Sequence, residues 1–372
     1  MANRYWVGGS GNWSDNTNHW SDSSGGSPGA SLPTSSDDVF IDANSGFGSG
    51  GTIYLDGQNT CRDITCSSGH TFTIDESSGR MNCYGSVIFE SGLTLGDTSR
   101  TFLFQQTTGN YTITTNGASL KSYFEFGWYG GDATFTLLDD FSTEGSFDFY
   151  SGTFDANDHN VTANNFYFYA NTGYTPTVIM GNGTWEATGV GDETGFFIDQ
   201  YSDQIVTFIP ETSTIKLSGS SEGFYFFDDT GNETGKTFNN LWITTSDISV
   251  ITGSNTFNEL KIDAPITLYF ISGTTTSVSS FVAVGDSENL ITLNLPPEDT
   301  GQFILSKSSG IVSCDYLDIS NSNATGGATW YAGSHSADTT NNDGWLFEDA
   351  PTPLSPKVTV KNKLNLLSIG SL

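Results

Sequence analysis

The acidic side chains are the first residues in this sequence whose type and spacing could do chemistry. Hydrolysis of a glycosidic bond uses two carboxyl groups about 5–10 Å apart on one surface. Adjacent acidic pairs occur at Asp37-Asp38, Asp139-Asp140 and Asp228-Asp229. Neighbours on a strand point to opposite faces, which argues against catalysis by these pairs. We therefore predict that the chain is not an enzyme. A polysaccharide depolymerase stays an alternative, because 42 acidic residues also meet across a fold by chance.

Neither the acidic turns nor the histidines match a metal-binding pattern. Residues 338–344 lack ligands at alternating positions and the closing glutamate of a calcium-binding loop. The glycine-rich calcium-binding nonapeptide is also absent from the sequence. The four histidines lie scattered in polar, turn-like segments, so a zinc site or a catalytic triad would need convergence in the fold alone. They are His19, His70, His159 and His335. We predict no metal and no cofactor.

Four cysteines are too few and too scattered for a disulfide scaffold in a chain of 372 residues. They are Cys61, Cys66, Cys83 and Cys314. We expect buried, reduced thiols. A bridge from Cys61 to Cys66, or from Cys66 to Cys83, stays open as an alternative.

Three runs are dense in aromatic residues, at 123–129, 166–169 and 224–227. In a strand half of such a run must point outward, and outward aromatic rings suit contacts with sugars or with another subunit. The sequence therefore predicts a homo-oligomer, with a trimer as one candidate, and host surface glycans as a second kind of partner. The candidate surface contacts are Tyr123, Trp128, Tyr129, Tyr167, Tyr169 and Tyr225.

The charge and composition exclude several classes of protein. A formal net charge of −30 and a pI near 4.1 oppose binding to nucleic acid phosphates. No run approaches about 18 apolar residues, so we predict no membrane insertion. The first residues have no apolar signal segment, and we expect folding in the cytoplasm of a host cell. Disorder is excluded by 27 Phe, 15 Tyr and 8 Trp, since disordered chains are poor in aromatic residues.

Short alternating strands and a repeat near 19 residues set the fold class. Apolar residues alternate with polar ones in runs such as Thr71–Asp75 and Thr214–Leu217, and Gly, Asn, Asp and Ser separate the runs. Phe238 and Phe257 stand in matching heptapeptides 19 residues apart, as do Phe135 and Phe154 within Thr-Phe pairs. This pattern predicts an all-β solenoid of roughly 12–15 coils. A propeller or a jelly roll is the alternative.

The two ends of the chain differ from its middle. We predict an N-terminal cap over residues 1–50, a β-solenoid over 51–348, and a Pro-rich linker with a basic and apolar tail over 349–372. Aromatic plugs are expected at both ends, since an open end of a solenoid exposes strand edges. The predicted cap residues are Trp6, Trp13, Trp20, Trp330 and Trp345.

The tail is predicted to be an attachment element. All 42 acidic residues precede Pro351, whereas the tail carries three lysines and alternating apolar residues. Such a segment suits strand addition to a partner or docking on an acidic subunit. The predicted anchoring residues are Lys357, Val358, Val360, Lys361, Lys363, Leu364, Leu366 and Ile369.

Several motifs give the chain a resemblance to a known group of proteins. Tyr5–Trp13, which reads YWVGGSGNW, and the run GGATWYAG followed by NNDGW near the end of the body resemble those of phage virion structural and adhesin-like β-helix proteins. The resemblance implies a right-handed parallel β-helix on a virion or cell surface, and it brings no catalytic residues.

These expectations combine into one predicted function. The chain is predicted to be a structural protein on the exterior of a bacteriophage particle, either a capsid decoration protein or a fibre or spike. Its C-terminal tail would attach it to other virion proteins. A host-surface glycan-binding adhesin or receptor-binding tail fibre is the alternative, besides the depolymerase.

Overall fold

The computed structural model describes residues 1–97, 100–170, 174–189, 195–200, 205–219, 223–228, 234–245 and 248–351, with backbone alone for 224–228 and 234. About half of the chain is strand and about 1% is helix. The strands stack as a parallel β-solenoid of about 12 turns, which confirms the predicted fold class. The one helix in these ranges is a single turn, α1 (Asn16–His19), whose first turn is capped by Asp15.

Strands in the first part of the chain are short and follow one another around the solenoid. They are β1 (Asn3–Trp6), β2 (Gly11–Asn12), β3 (Trp20–Ser21), β4 (Asp38–Asp42), β5 (Thr52–Tyr54), β6 (Gln58–Cys61), β7 (Ile64–Ser67), β8 (Phe72–Asp75), β9 (Arg80–Cys83), β10 (Val87–Ile88), β11 (Leu93–Leu95), β12 (Thr101–Phe104), β13 (Asn110–Thr114) and β14 (Ser119–Leu120).

The middle of the chain continues the same pattern with somewhat longer strands. They are β15 (Tyr123–Phe126), β16 (Thr134–Leu137), β17 (Phe141–Ser142), β18 (Ser146–Phe149), β19 (Thr153–Asp155), β20 (Val161–Ala163), β21 (Asn165–Ala170), β22 (Thr177–Ile179), β23 (Thr184–Ala187), β24 (Gly195–Gln200), β25 (Thr207–Ile209), β26 (Thr214–Leu217) and β27 (Gly223–Asp228).

The last third contains three long strands before the pattern shortens again. The strands are β28 (Thr234–Ile243), β29 (Ile248–Ile251), β30 (Ser254–Ile262), β31 (Ile266–Phe270), β32 (Thr275–Ala283), β33 (Ile291–Asn294), β34 (Phe303–Ser306), β35 (Ile311–Ser313), β36 (Leu317–Ser320), β37 (Ser322–Thr325), β38 (Thr329–Tyr331), β39 (Ala337–Thr340) and β40 (Trp345–Leu346).

Each turn of the solenoid passes through three sheets, which we call faces 1, 2 and 3. Face 1 runs β3-β1-β4-β7-β10-β13-β16-β19-β22-β25. Face 2 runs β2-β5-β8-β11-β14 and continues as β17-β20-β23-β26, with a bridge between Leu120 and Thr143 joining the two parts. Face 3 is a single sheet of 13 strands from β6 to β39. A face of 13 strands at about 4.8 Å per rung is roughly 60 Å long.

The long strands β28, β30 and β32 cross the corner between faces 1 and 2. The second half of β28 pairs with β26 of face 2, as in Leu241 with Ile215. In its first half Phe238 packs against Phe208 of β25 on face 1, with ring centroids 5.1 Å apart. Nearer the C-terminal end, β34 and β37 continue from β32, and β35, β38 and β40 form a separate three-stranded sheet. The strands of this part of the chain therefore bend at different points of each solenoid turn, while parallel pairing between successive turns continues.

The core is a set of ladders of equivalent apolar residues on successive rungs. Phe238 pairs with Phe257 and Phe135 pairs with Phe154, so the 19-residue offsets read from the sequence are rung-to-rung offsets. Elsewhere the rungs differ in length, since Phe168 pairs with Ile198, an offset of 198 − 168 = 30. Each fully buried apolar side chain of this size contributes about 1.5–3 kcal/mol.

The N-terminal end of the stack is closed by three buried tryptophans. Trp6 of β1 and Trp20 of β3 are antiparallel register partners, with ring centroids 5.1 Å apart. Trp13 packs edge-on against Trp20 at 4.7 Å, and the Trp20 indole N–H donates to the Trp13 carbonyl at 2.7 Å. Because β3 covers the outer edge of β1, this cluster closes the first rung of face 1.

The sheets already include residues before position 51. β1 pairs in parallel with β4, β4 with β7, and β2 with β5. The boundary predicted between a cap at 1–50 and a solenoid at 51–348 therefore does not coincide with a break in the sheets. The tryptophan cluster is built onto the first rungs.

At the other end, two tryptophans form the last rungs of a ladder. Trp330 of β38 and Trp345 of β40 are register partners with ring centroids 5.2 Å apart. The Trp345 indole donates to the Ser322 hydroxyl at 3.0 Å. The whole set of predicted anchoring residues, from Lys357 to Ile369, lies outside the described residues. Within the ranges that the structure describes, no helix has the length and apolar composition to cross a bilayer.

Candidate functional site

The outward side of face 3 carries a row of contacting aromatic side chains. Tyr150 and Tyr169 stack with ring centroids 4.7 Å apart, and Trp128 meets Tyr150 edge-on at the same distance. Tyr167 lies 5.8 Å from Tyr169 and stacks on Phe197 at 4.7 Å. We call these five residues the aromatic row. It spans neighbouring turns of the solenoid, and its rings other than the buried Phe197 present surfaces of the kind that suits sugars.

Strand alternation explains why the row lies outside the core. In β21 the buried Phe166 and Phe168 point inward, so Tyr167 and Tyr169 between and after them point outward. Parallel pairing then sets the outward residues of successive rungs side by side, as with Tyr167 and Phe197. The row is therefore a direct consequence of the period-two pattern.

Three of the predicted surface contacts are well exposed. The exposed fractions of Tyr123, Trp128 and Tyr129 are 38%, 52% and 54%. Trp128 and Tyr129 lie in the turn after β15, where the ring of Tyr174 lies directly against Gly130. This turn places the Trp128 ring at the end of the row and the Tyr129 ring next in the chain.

The remaining predicted contacts have different surroundings. Tyr167 and Tyr169 are half-buried because they stack within the aromatic row. The side chain of Tyr225 is outside the described residues, although its backbone pairs with Phe197. Sequence reasoning missed Tyr150 and Phe197. The outward place of Tyr150 after the buried Phe149 was the available signal.

Two carboxyl groups sit side by side at the centre of this surface. Glu125 of β15 and Asp148 of β18 are register partners, so they occupy adjacent rungs about 4.8 Å apart. The Ser146 hydroxyl donates to Asp148, and the Thr101 hydroxyl donates to Glu125 at 3.3 Å. Sequence reasoning missed this pair because the two acids are 148 − 125 = 23 residues apart and not adjacent in the chain.

Burial makes these carboxyl groups weak acids. Asp148 is 9% exposed, and burial raises its pKa to about 7, with a further increase from Glu125 that the Ser146 hydrogen bond opposes. Burial also raises the pKa of Glu125. The pKa values of Tyr150 and Tyr169 are raised above their ordinary range by burial and by Asp148, so their hydroxyls stay protonated. The surface therefore offers hydroxyl donors and carboxyl groups beside aromatic rings, which suit hydroxyl-rich ligands.

The first adjacent acidic pair in the sequence holds the fold together. Asp37 accepts hydrogen bonds from the Thr34 hydroxyl and the Ala2 amide, both at 2.7 Å. Asp38 forms an ion pair with Arg62 of the next turn. The two carboxylates are therefore engaged separately, in agreement with the argument from strand alternation.

The second pair is structural as well. Asp139 accepts the Thr115 amide at 2.7 Å, and Asp140 accepts the Asn160 amide at 2.9 Å. These contacts tie the turn to the preceding and the following rung. The third pair, at residues 228–229, has no described side chains.

The histidines lie in separate parts of the fold, and Cys61 and Cys83 are register partners on neighbouring rungs of face 3. His19 stacks on Trp6 in the N-terminal cluster at 4.7 Å, and Nδ1 of His335 lies 2.9 Å from Asp315. All four cysteines are buried and unpaired. In the part of the chain that the structure describes, no group of three or more His, Cys, Asp or Glu is placed to hold a metal ion.

A groove of about 420 Å³ lies on face 2, around Trp242. Lys216 pairs with Glu186 at 2.8 Å, and the ammonium group of Lys261 lies 3.9 Å from the centre of the Trp242 ring. Asp263 accepts the indole N–H at 2.8 Å. Each lysine of this groove contacts an acidic or an aromatic side chain, so these charges are already engaged within the protein.

No family model, no curated protein and no solved structure matches the chain.

Proposed function

We propose that the chain is a structural rod on the exterior of a bacteriophage particle, either decorating the capsid or forming a fibre or spike. The observation that carries this proposal is the uninterrupted parallel solenoid of about 12 turns, closed at its N-terminal end by the tryptophan cluster. Continuous stacking gives length and resistance to local opening, because every rung is held on both sides. The resemblance of the sequence motifs to virion proteins supports the same role.

The charge distribution supports the direction of attachment in this proposal. The net charge of −30 keeps crowded copies of the rod apart and soluble. The segment after Pro351 has three lysines and no acidic residue. We assign attachment to this segment, through pairing with an acidic virion subunit. The opposite end, with the tryptophan cluster, then points away from the particle.

Truncation after Ala350 tests the attachment. The shortened chain keeps every described strand and should fold with an unchanged melting temperature, but it should be missing from purified particles. A full-length chain with Lys357, Lys361 and Lys363 changed to Gln is the matched variant, and reduced incorporation is expected. Normal incorporation of the truncated chain contradicts the proposed attachment.

Contact with host surface glycans is the second candidate function, and the aromatic row with exposed Trp128 and Tyr129 favours it. Aromatic rings beside carboxyl and phenol groups suit the apolar faces and hydroxyls of sugars. A glycan array with the full chain and with Trp128→Ala tests it. Binding that falls in the variant supports the idea, and an array without any hit contradicts it.

A further inference from the structure

A cleft of about 410 Å³ runs along one side of face 3, next to its first strands. Small residues and two arginines line it, together with a threonine that also touches the acid pair. These residues are Gly57, Ser78, Gly79, Arg80, Arg100 and Thr101. The small residues keep the cleft open, and the arginines give it positive charge in a chain with a net charge of −30.

The two arginines form no ion pair with the described residues, although Arg80 is close enough to Glu125 to oppose the rise in the pKa of that carboxyl caused by burial. Several other basic residues on the rod have acidic partners, for example Arg4 with Asp22 and Lys216 with Glu186. Among the described residues neither Arg80 nor Arg100 forms an ion pair. Since the chain has 42 acidic residues, two unpaired guanidinium groups in one cleft need a separate explanation.

The hydrogen bonds of the two guanidinium groups are incomplete. Nε of Arg80 is buried and has no hydrogen-bond partner among the described residues. Arg100 donates from Nη2 to the Ser77 carbonyl at 2.9 Å, which fixes its side chain over the loop that borders the cleft. A guanidinium carries five N–H donors in a planar fork that matches a carboxylate or a sulfate. The donors left over in this cleft lack an anionic acceptor.

Arg80 is aligned with an exposed aromatic ring along the axis of the rod, and Arg100 precedes the next residue of the same column. Gln58 pairs with Arg80 and Thr101 pairs with Tyr123, and the register of Met81 with Phe102 places Arg80 one rung before Thr101. Two rungs separate Arg80 from Tyr123, a distance of about 10 Å. That is roughly the length of two sugar units of an extended chain, and Tyr123 is 38% exposed.

We propose that this cleft binds an anionic polysaccharide, with Arg80 and Arg100 holding a carboxylate or sulfate group and Tyr123 stacking on a neighbouring sugar. The inference rests on the second candidate function, glycan contact, and names its ligand class. It is independent of attachment to a particle. The polymer would lie parallel to the rod axis, with the Glu125–Asp148 surface beside it.

A nucleic acid fits the same surface less well. Duplex DNA carries one charge per about 1.7 Å of its axis, and a strongly acidic rod repels it over a long stretch. A polysaccharide with a charge on each sugar, or on alternate sugars, has a lower charge density and offers hydroxyls to the neutral polar groups of face 3. In the experiment, single-stranded DNA is the nucleic acid whose binding is compared with that of the polysaccharides.

The experiment measures binding of the full chain to polygalacturonate, dextran sulfate, neutral dextran and single-stranded DNA by calorimetry at two salt concentrations. The first two ligands distinguish a carboxylate from a sulfate, and dextran lacks both. Arg80→Gln and Arg100→Gln remove the cleft charges one at a time. Lys307→Gln is the matched control, because it removes one unpaired positive charge far along the rod. Melting temperatures check that each variant is folded, and Arg100→Gln, at an exposed position, keeps the test valid if Arg80→Gln does not fold.

We expect polygalacturonate or dextran sulfate to bind, with about tenfold weaker binding for each arginine variant and an unchanged affinity for Lys307→Gln. Equal binding to dextran, or equal loss in Lys307→Gln, overturns the arginine site while leaving glycan contact standing. Tighter binding to DNA than to either polysaccharide also overturns it. Absence of binding to all four ligands, with no hit on the glycan array, removes glycan contact as well.

Discussion

Glu125 and Asp148 face outward from the same register position on neighbouring rungs of face 3, which brings a half-buried and a buried carboxyl group together. Each accepts one hydroxyl hydrogen bond, from Thr101 and Ser146. A buried pair of this kind favours the protonated form. The consequence is a stability that depends on pH in a predictable direction.

Asp148→Asn should remove much of that pH dependence. The folded pKa of Asp148 is about 7 and its ordinary value is 3.8. Between these two values the unfolded chain has lost the proton and the folded chain has kept it, so the free energy of unfolding falls as pH rises from about 4 to 7. At pH 8 the free energy of unfolding is therefore lower by something on the order of 2–4 kcal/mol. Thermal unfolding should show that the variant is more stable than the natural chain at pH 8 and not at pH 4.

Glu298→Gln, in an exposed turn, is the control for this measurement. It should leave the melting temperature at pH 8 close to that of the natural chain. If Asp148→Asn is destabilised equally at pH 4 and pH 8, the raised pKa of Asp148 is not the cause of the pH dependence.

Ser122→Ala should destabilise the protein more at high pH than at low pH. Glu76 is fully buried, burial raises its pKa to about 7, and the Ser122 hydroxyl donates to it and lowers that value. Loss of the donor raises the pKa further, so the ionised form at pH 8 loses a hydrogen bond to a charge, about 1.5–3 kcal/mol. At pH 5 the carboxyl is protonated and the loss should be nearer 1 kcal/mol. Melting temperatures at both pH values check this.

Ser151→Ala provides the comparison, because the Ser151 hydroxyl donates to the neutral Gly127 carbonyl at 2.7 Å. Its effect should be the same at both pH values. Equal losses for Ser122→Ala at pH 5 and pH 8 contradict the role of Glu76.

Much of the fold could be predicted because it depends on local patterns. Alternation places Phe135 inward and its neighbours outward, and the 19-residue offset to Phe154 gives the rung directly. The similar tetrapeptides around Phe147 and Phe154, which read GSFD and GTFD, do not mark a rung. These residues lie on adjacent faces of one turn, with ring centroids 4.8 Å apart.

The candidate site could be predicted only in part. Outward aromatic residues such as Trp128 could be predicted from the aromatic-rich runs of the sequence and from the alternation of side chains along a strand. Pairing of Glu125 with Asp148 could not be predicted, because the spacing between rungs varies, for example 19 residues between Phe238 and Phe257 and 30 between Phe168 and Ile198. Which acids meet on neighbouring rungs depends on the length of every intervening turn. The polar turns vary in length and show no repeat from which the pairing could be predicted.

Trp20→Ala should damage the N-terminal end of the rod. The side chain is fully buried, and removing a core tryptophan costs about 3–5 kcal/mol. Loosening β3 also uncovers the edge of β1, which should promote association of rods. Unfolding and light scattering together measure the two effects.

Trp128→Ala is the matched change, since Trp128 is 52% exposed on the surface of face 3. We expect a change in its melting temperature of less than a third of that in Trp20→Ala. Similar losses in the two variants would show that Trp20 does not close the end of the stack.

Gly152→Ala should be far more destabilising than Gly117→Ala. Both glycines have positive φ, +86° and +73°, so both alanines carry a similar backbone strain of about 1–2 kcal/mol. A Cβ atom at Gly152 would lie 2.2 Å from the Ala133 carbonyl oxygen of the preceding rung, whereas none would be met within 4 Å at Gly117. Chemical unfolding of the two variants measures the difference, and equal losses would contradict close contact between the rungs.

The location of the chain in an intact phage particle tests the central claim most directly. Gold-labelled antibodies against the full chain, viewed by electron microscopy on purified particles, should mark the outer surface of the capsid or a tail appendage. Antibodies against residues 1–50 should label farther from the particle than antibodies against residues 300–350, since attachment is assigned to the C-terminal segment. Labelling only after particles are broken open, or no labelling of particles at all, would contradict the account.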